Sequence, residues 1–388
     1  MSTRRDFFRM SGLTVAGMGM PFLSQRPAAY EEDLARLRSA VKFTRDGIDM
    51  HPLEYADLLL RLSGEGKVPV DHYSRGGVVE LMEERFAALL GKERAVFVPT
   101  GTLANHLAVR RLSALRGGRR IVVQADSHLY NDAGDCAQTL SGLNLLPLAA
   151  GRTAFTLEEV QEAVDRTRTG RVRNRVGVIV IESPVRRHHN AMFPFGEMER
   201  IAALAREEGI ALHMDGARLY NAVVHSGIPA RRYAALFDTV YVSLYKDFNA
   251  ASGAILAGPR DLLDDLYHER RMFGGGMPQA WPFAAVALHY AESFEEDYTR
   301  AVQRAEKLFA LLEGSGLLRV ERIPDGTNVF LLHLERGDPQ RFRESLLREN
   351  IELPPPASSF RGFVMKINTT LLRTTPEEIA GRMIRAAG

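Results

Sequence analysis

The sequence predicts an α/β protein with a mostly parallel sheet, followed by a smaller α+β unit. Between Ala95 and Ala257, short apolar runs alternate with segments whose apolar residues recur at helical spacing. Beyond about residue 290, long helical stretches are set among short strands instead. The composition, 45% hydrophobic and 25% charged, is that of a globular chain with a sizeable core. No run of about 18 apolar residues follows the N-terminus, so no membrane span is expected there.

Residues 1–29 stand apart. Thr3-Arg4-Arg5-Asp6-Phe7-Phe8-Arg9 leads into a weakly apolar run, Met10 to Leu23, loosened by Gly12, Gly17 and Gly19. The segment resembles a twin-arginine export signal, which implies a periplasmic or exported protein, or a cytoplasmic one if the leader is not functional. That route carries folded proteins, often ones already loaded with a cofactor.

In the body, Gly76-Gly77 precede a helical stripe of Val78, Leu81, Met82, Phe86, Leu89 and Leu90. Ala95–Val98 reads as a strand, and Pro99-Thr100-Gly101-Thr102 opens a helical pattern through Leu115. Strand-like runs follow at Ile121–Val123, Val176–Ile181, Ile210–Met214, Thr239–Val242 and Ala254–Ala257, with helical segments such as Phe195–Glu208 between them. The C-terminal pattern is a helix Phe294–Leu312, strands Leu318–Arg322 and Val329–Leu334, a helix Pro339–Glu349 and a strand Phe363–Ile367. A last helix follows, capped by Thr375 with Pro376 in its first turn. The expected division is an N-terminal arm and large domain over 30–285 and a small domain over 286–388.

Lys+Arg number 50 and Asp+Glu 48. Four of the arginines lie in residues 1–29, so the body is within one charge of neutrality, which argues against a nucleic-acid partner. The basic run Arg166, Arg168, Arg171, Arg173, Arg175 reads as a solvated loop. Cys136, the single cysteine, cannot form an intrachain disulfide and reads as a small packed residue. The adjacent His188 and His189 point apart and do not suggest a metal pair.

Three features carry chemistry. Asp215 closes the apolar run Ile210–Met214, at the strand end where open α/β sheets bind ligands. Lys246 follows a second run, Val240–Tyr245. Thr100-Gly101-Thr102 joins a strand to a helix whose free N–H groups suit a phosphate. An acid for a pyridinium nitrogen, a strand-end lysine and a phosphate cradle together fit pyridoxal 5′-phosphate.

Phe97-Val-Pro-Thr-Gly-Thr-Leu-Ala-Asn105, His213-Met-Asp-Gly-Ala-Arg-Leu-Tyr-Asn-Ala222 and Gly274-Gly-Gly-Met-Pro-Gln279 resemble three signature segments of the low-specificity L-threonine aldolases. These belong to the aromatic amino acid β-eliminating lyase group of fold-type I pyridoxal-phosphate enzymes. His128-Leu-Tyr with Leu140-Ser-Gly142, and Glu80 to Gly91, are similar to two further segments. The resemblance spans roughly residues 43–385. It implies a mostly parallel seven-stranded sheet flanked by helices, with a small C-terminal domain.

By the same resemblance, Lys246 is the Schiff-base lysine and Asp215 the pyridinium partner. Gly101 and Thr102 hold the phosphate, and His128 stacks on the ring near the substrate hydroxyl. Arg218 lies near the cofactor or the substrate carboxylate, and Lys366 aligns with a carboxylate-binding arginine. Other positions depart from the pattern. Tyr245 replaces a serine before the lysine, Asp247 and Asn249 replace glycines after it, and Pro278 replaces an arginine that assists phosphate binding. A glutamate is Ala133, flanked by Asp132 and Asp135, and the family's N-terminal Ser-Asp pair aligns with Arg45-Asp46.

The implied activity is retro-aldol cleavage of L-β-hydroxy-α-amino acids (threonine or allo-threonine-like) to glycine and an aldehyde. A β-eliminating lyase, a racemase, an aminotransferase and a weakly catalytic pyridoxal-phosphate-binding protein are the alternatives. The expected partners are a small amino-acid substrate and further copies of the chain, as a homodimer or homotetramer.

Overall fold

A computed structural model describes residues 28–172 and 174–388. Of the segment read as an export signal, residues 1–27 lie outside the described residues, as does Arg173 of the basic run.

The strands, in chain order, are β1 (Val41–Lys42), β2 (Arg94–Val98), β3 (Arg120–Gln124), β4 (Asn144–Leu148), β5 (Val176–Glu182) and β6 (Ala211–Asp215). They continue with β7 (Thr239–Ser243), β8 (Ala254–Gly258), β9 (Leu318–Arg322), β10 (Val329–Leu334), β11 (Ile351–Glu352) and β12 (Gly362–Lys366). Seven of them form one sheet in the order β2-β8-β7-β6-β5-β3-β4. β8 runs antiparallel to both neighbours and every other pairing is parallel. The mostly parallel seven-stranded sheet that the family resemblance implied is the one observed.

Every residue of β5, β6, β7 and β8 is buried. Continuous apolar strands are what a sheet covered on both faces demands. One core cluster gathers residues such as Met82, Phe86, Ile201 and Phe248. A second gathers Ala104, Leu107, Val180 and Leu256 around the helix Gly101–Arg116, which packs across β5 to β8. β4 was not anticipated. Its residues are exposed or half-exposed, and Pro147 breaks the apolar run, both of which an edge strand tolerates.

The C-terminal unit is a three-stranded antiparallel sheet, β12-β10-β9, under the helices Phe294–Gly314 and Pro376–Ala387. Thr375 caps the last helix by accepting from the Glu378 N–H at 3.2 Å. The arm that precedes the large domain hydrogen-bonds to this C-terminal unit. β1 pairs in parallel with β11, and the Lys366 N–H donates to the Phe43 carbonyl at 3.0 Å. Among the described residues, no helix is long and apolar enough to cross a membrane.

This topology positions the site. β2, β3, β5, β6 and β7 all point the same way, so the residues at or just after each strand end collect along one edge of the sheet. Those residues are Thr100–Thr102, His128, Glu182, Asp215 and Lys246.

Candidate active site

Along that edge lies a cavity of about 1080 Å³. Gly101, Thr102, His128, Asp215, Arg218, Lys246 and Lys366, the seven residues singled out from the sequence, all line it. Arm residues 44–47, 49 and 50, the start of the helix Pro52–Gly64, and the loop Asn249–Ser252 complete the wall.

The acid end is built at the floor. Asp215 is buried, and its Oδ2 accepts from Asn105 Nδ2 at 2.6 Å while Oδ1 accepts from the Ala217 N–H at 3.2 Å. Asn105 in turn has its Oδ1 2.9 Å from His213 Nε2, and His213 Nδ1 is 2.8 Å from Thr239 Oγ1. Burial holds His213 down at about 4, so the imidazole is neutral and its two nitrogens divide into one donor and one acceptor. The chain Thr239–His213–Asn105 thus orients the Asp215 carboxylate.

Glu182, which pairs in register with Asp215, accepts from the backbone N–H groups of His128 at 2.5 Å and Arg186 at 2.9 Å. Burial, together with the Asp215 charge beside it, pushes Glu182 up to about 7. Its carboxyl fixes the His128 loop beside Asp215 through those two backbone contacts. His128 Nε2 lies 3.3 Å from Thr102 Oγ1, and its Nδ1 is 3.7 Å from Asp132 Oδ2. Asp132 is itself bound by Arg186 at 2.5 Å and Arg187 at 2.7 Å.

The helix Gly101–Arg116 supplies the opposite end. Thr100 is its N-cap, accepting from the Leu103 N–H at 3.2 Å, which leaves the N–H groups of the first turn facing the cavity edge. A Cβ on Gly101 would stand 1.9 Å from Tyr241 Oη, so only glycine allows β7 to pack this close beneath the helix start. In place of the expected arginine, Pro278 offers its carbonyl to the Tyr73 N–H at 2.9 Å and contributes no charge.

Lys246 follows β7, its Nζ 4.6 Å from the centre of the half-exposed Tyr245 ring. The loop that carries it is latched to the arm. Asn249 adopts φ +55°, a conformation asparagine enters at low cost, and its Oδ1 accepts from the Ile48 N–H at 2.7 Å. A Cβ on Gly47 would stand 2.2 Å from the Lys246 carbonyl oxygen, so glycine there lets the arm close on the loop.

The arm delivers Asp46, which sequence reasoning treated only as an aligned position. Asp46 Oδ2 accepts from Arg218 Nε at 3.0 Å. Its Oδ1 accepts from Lys366 Nζ at 2.9 Å, Asn328 Nδ2 at 3.0 Å and Asn190 Nδ2 at 3.3 Å. Burial alone would disfavour the ionised form, yet Arg218 and Lys366 hold the carboxyl well below the usual carboxylate range. Arg218 and Lys366 are thus oriented by one shared anion that spends only the Nε of the guanidinium. The donor set fits pyridoxal phosphate: an amine on Lys246, a buried carboxylate on Asp215, a helix N-terminus with Thr102, and two cations beyond.

The fold is that of the fold-type I pyridoxal-phosphate enzymes. The chain belongs to the beta-eliminating lyase family, which matches residues 67–334, and is a pyridoxal-phosphate-dependent lyase. It is 27% identical to a low specificity L-threonine aldolase of Saccharomyces cerevisiae over 275 residues, 70% of each chain. A putative L-allo-threonine aldolase from Listeria monocytogenes superposes with a TM-score of 0.74 at 24% identity, covering 92% of this chain and 99% of that one. A putative aromatic amino acid beta-eliminating lyase/threonine aldolase from Exiguobacterium superposes equally well, at 0.74 and 23% identity, covering 90% and 98%.

Proposed function

We propose that the protein cleaves L-β-hydroxy-α-amino acids to glycine and an aldehyde. The observation that supports this best is the single cavity that sets Lys246 and Asp215 within reach of a candidate base, His128, and of the Arg218–Lys366 cation pair. The threonine aldolase relatives support the same reaction. Pyridoxal phosphate, when bound, supplies an electron sink for the bond broken at Cα.

The residues of the chain do the rest. Lys246 offers the amine that anchors the cofactor, and Asp215 holds a proton on the ring nitrogen. The N–H groups at the start of Gly101–Arg116 and the Thr102 hydroxyl bind the phosphate. Arg218 and Lys366 hold the substrate carboxylate and so orient the Cα–Cβ bond for cleavage. As that bond breaks, the β-hydroxyl oxygen becomes the aldehyde carbonyl and its proton passes to His128. Cα takes up a proton to leave glycine.

The test is a product assay with L-threonine, L-allo-threonine, L-phenylserine and L-serine. Glycine with the matching aldehyde is the expected outcome. Ammonia with the 2-oxo acid of the same carbon chain (pyruvate from L-serine, 2-oxobutanoate from L-threonine) would instead assign β-elimination, with the Tyr245 phenol beside Lys246 as the candidate acid.

We infer further that residues 1–29 direct export by the twin-arginine route. Full-length protein is expected outside the cytoplasm after cell fractionation, and exchange of Arg4 and Arg5 for lysine is expected to retain it inside. Equal fractionation of the two would remove the inference.

A further inference from the structure

Asp247 stands next to Lys246, where the family resemblance expects a glycine, and it is fully buried. Neither of its carboxylate oxygens has a hydrogen-bond partner. An ionised carboxylate left in that state is strongly disfavoured, because nothing replaces the water it has lost. Its surroundings come from five elements. Asp46 lies on the arm, Arg218 and Tyr220 follow β6, Lys246 precedes it in its own turn, Lys366 ends β12, and Tyr298 sits on the helix Phe294–Gly314. The Tyr220 hydroxyl is also buried without a partner, and Tyr298 is engaged with His225 Nε2 at 3.0 Å. Of the three cations that face Asp247, Arg218 and Lys366 are already committed to Asp46, and the third, Lys246, is its neighbour in the chain.

We propose that Asp247 is carried as the uncharged acid and acts as a positioning residue. While it is neutral, Asp46 is the one anion shared by Arg218 and Lys366, and both cations remain directed at an incoming carboxylate. When it loses its proton, a second anion behind Lys246 competes for the same two cations and weakens the hold on the substrate. The second half of this inference rests on the amino-acid-binding role given to Arg218 and Lys366 above. Burial is the main cause that pushes Asp247 up to about 8, with the Asp46 charge adding to it, which places the change just above neutral pH.

The sign of the stability effect follows from the raised value. A free aspartate loses its proton near about 4, so from there to about 8 the folded state holds a proton that the unfolded state has released. The stability contributed by the protonated acid is full below that window and falls as pH rises through it. The experiment compares thermal unfolding of the full-length protein with Asp247→Asn and Asp247→Gly between pH 5 and 9, with and without added pyridoxal phosphate. Both variants are neutral, and asparagine copies the shape of the protonated acid. Each is expected to gain on the wild type steadily as pH rises, and to level off above about 8. Other buried acids such as Glu182 and Glu83 are common to all three proteins and cancel in the difference.

A difference that does not change with pH, or one that moves in favour of the wild type, overturns the uncharged acid. This reading survives even if the proposed aldol reaction fails, because it requires no turnover. The positioning role is read separately. KM for L-threonine is expected to rise across pH 7–9 in the wild type, with kcat moving less, and the rise is expected to be absent in Asp247→Asn. An identical KM rise in both proteins overturns that role.

Discussion

Replacing Lys246 with alanine is expected to abolish turnover, by about 10⁴- to 10⁶-fold, the scale seen when an enzyme loses the group that bonds covalently to its reactant. The amine lies on the wall of the same cavity as Asp215, where among the described residues the one other lysine is Lys366, and Lys366 is bound to Asp46. A second readout does not depend on activity. Borohydride reduction of the loaded wild type should fix the cofactor on the peptide that contains Lys246, as seen by peptide mapping. The same treatment of Lys246→Ala should leave no labelled peptide. Labelling of Lys366 in either protein would move the anchoring role away from Lys246.

The second large effect concerns Asp46. Removing one partner from a buried ion cluster leaves uncompensated charge, and here two cations lose their shared anion. Asp46→Ala is expected to cost about 3–5 kcal/mol at pH 7, measured by denaturant unfolding. Because Asp46 is held below the usual carboxylate range, its stabilisation is present above the unfolded value of about 4 and is lost as pH falls towards the folded one. The gap between wild type and variant should therefore close under acid conditions. A gap of under about 1 kcal/mol at pH 7 would mean that the cluster contributes little. Substrate affinity provides an independent check, since Arg218 and Lys366 would lose their common orientation.

Both effects arise from contacts that the sequence does not display. Asp46 meets Arg218 across 172 residues and Lys366 across 320. No spacing rule relates residues so far apart, because their meeting is set by β1 pairing with β11 and by glycine at position 47. Asn105 is a similar case. It lies within a recognisable segment, yet its work of linking His213 to Asp215 appears only once the helix has packed on the sheet. Glu182 is different. It closes an apolar run as Asp215 does, so the same strand-end argument applied to Val176–Ile181 would have found it.

Taken by itself, the sequence determined what is local or periodic. Apolar runs of three to six residues specified strands covered on both faces, and helical stripes and caps specified what lies between them. Residues at the ends of those runs, Asp215 and Lys246 above all, were legible as chemistry because parallel strands bring their carboxyl ends to one edge. Tertiary structure decided the rest: the edge strand β4, the docking of the arm on the C-terminal unit, the Asp46 clamp and the burial of Asp247. The reason is physical. Secondary structure follows from the pattern along a segment, whereas the charge state and direction of a buried side chain follow from what else shares its volume, and that is set only when distant segments close around it.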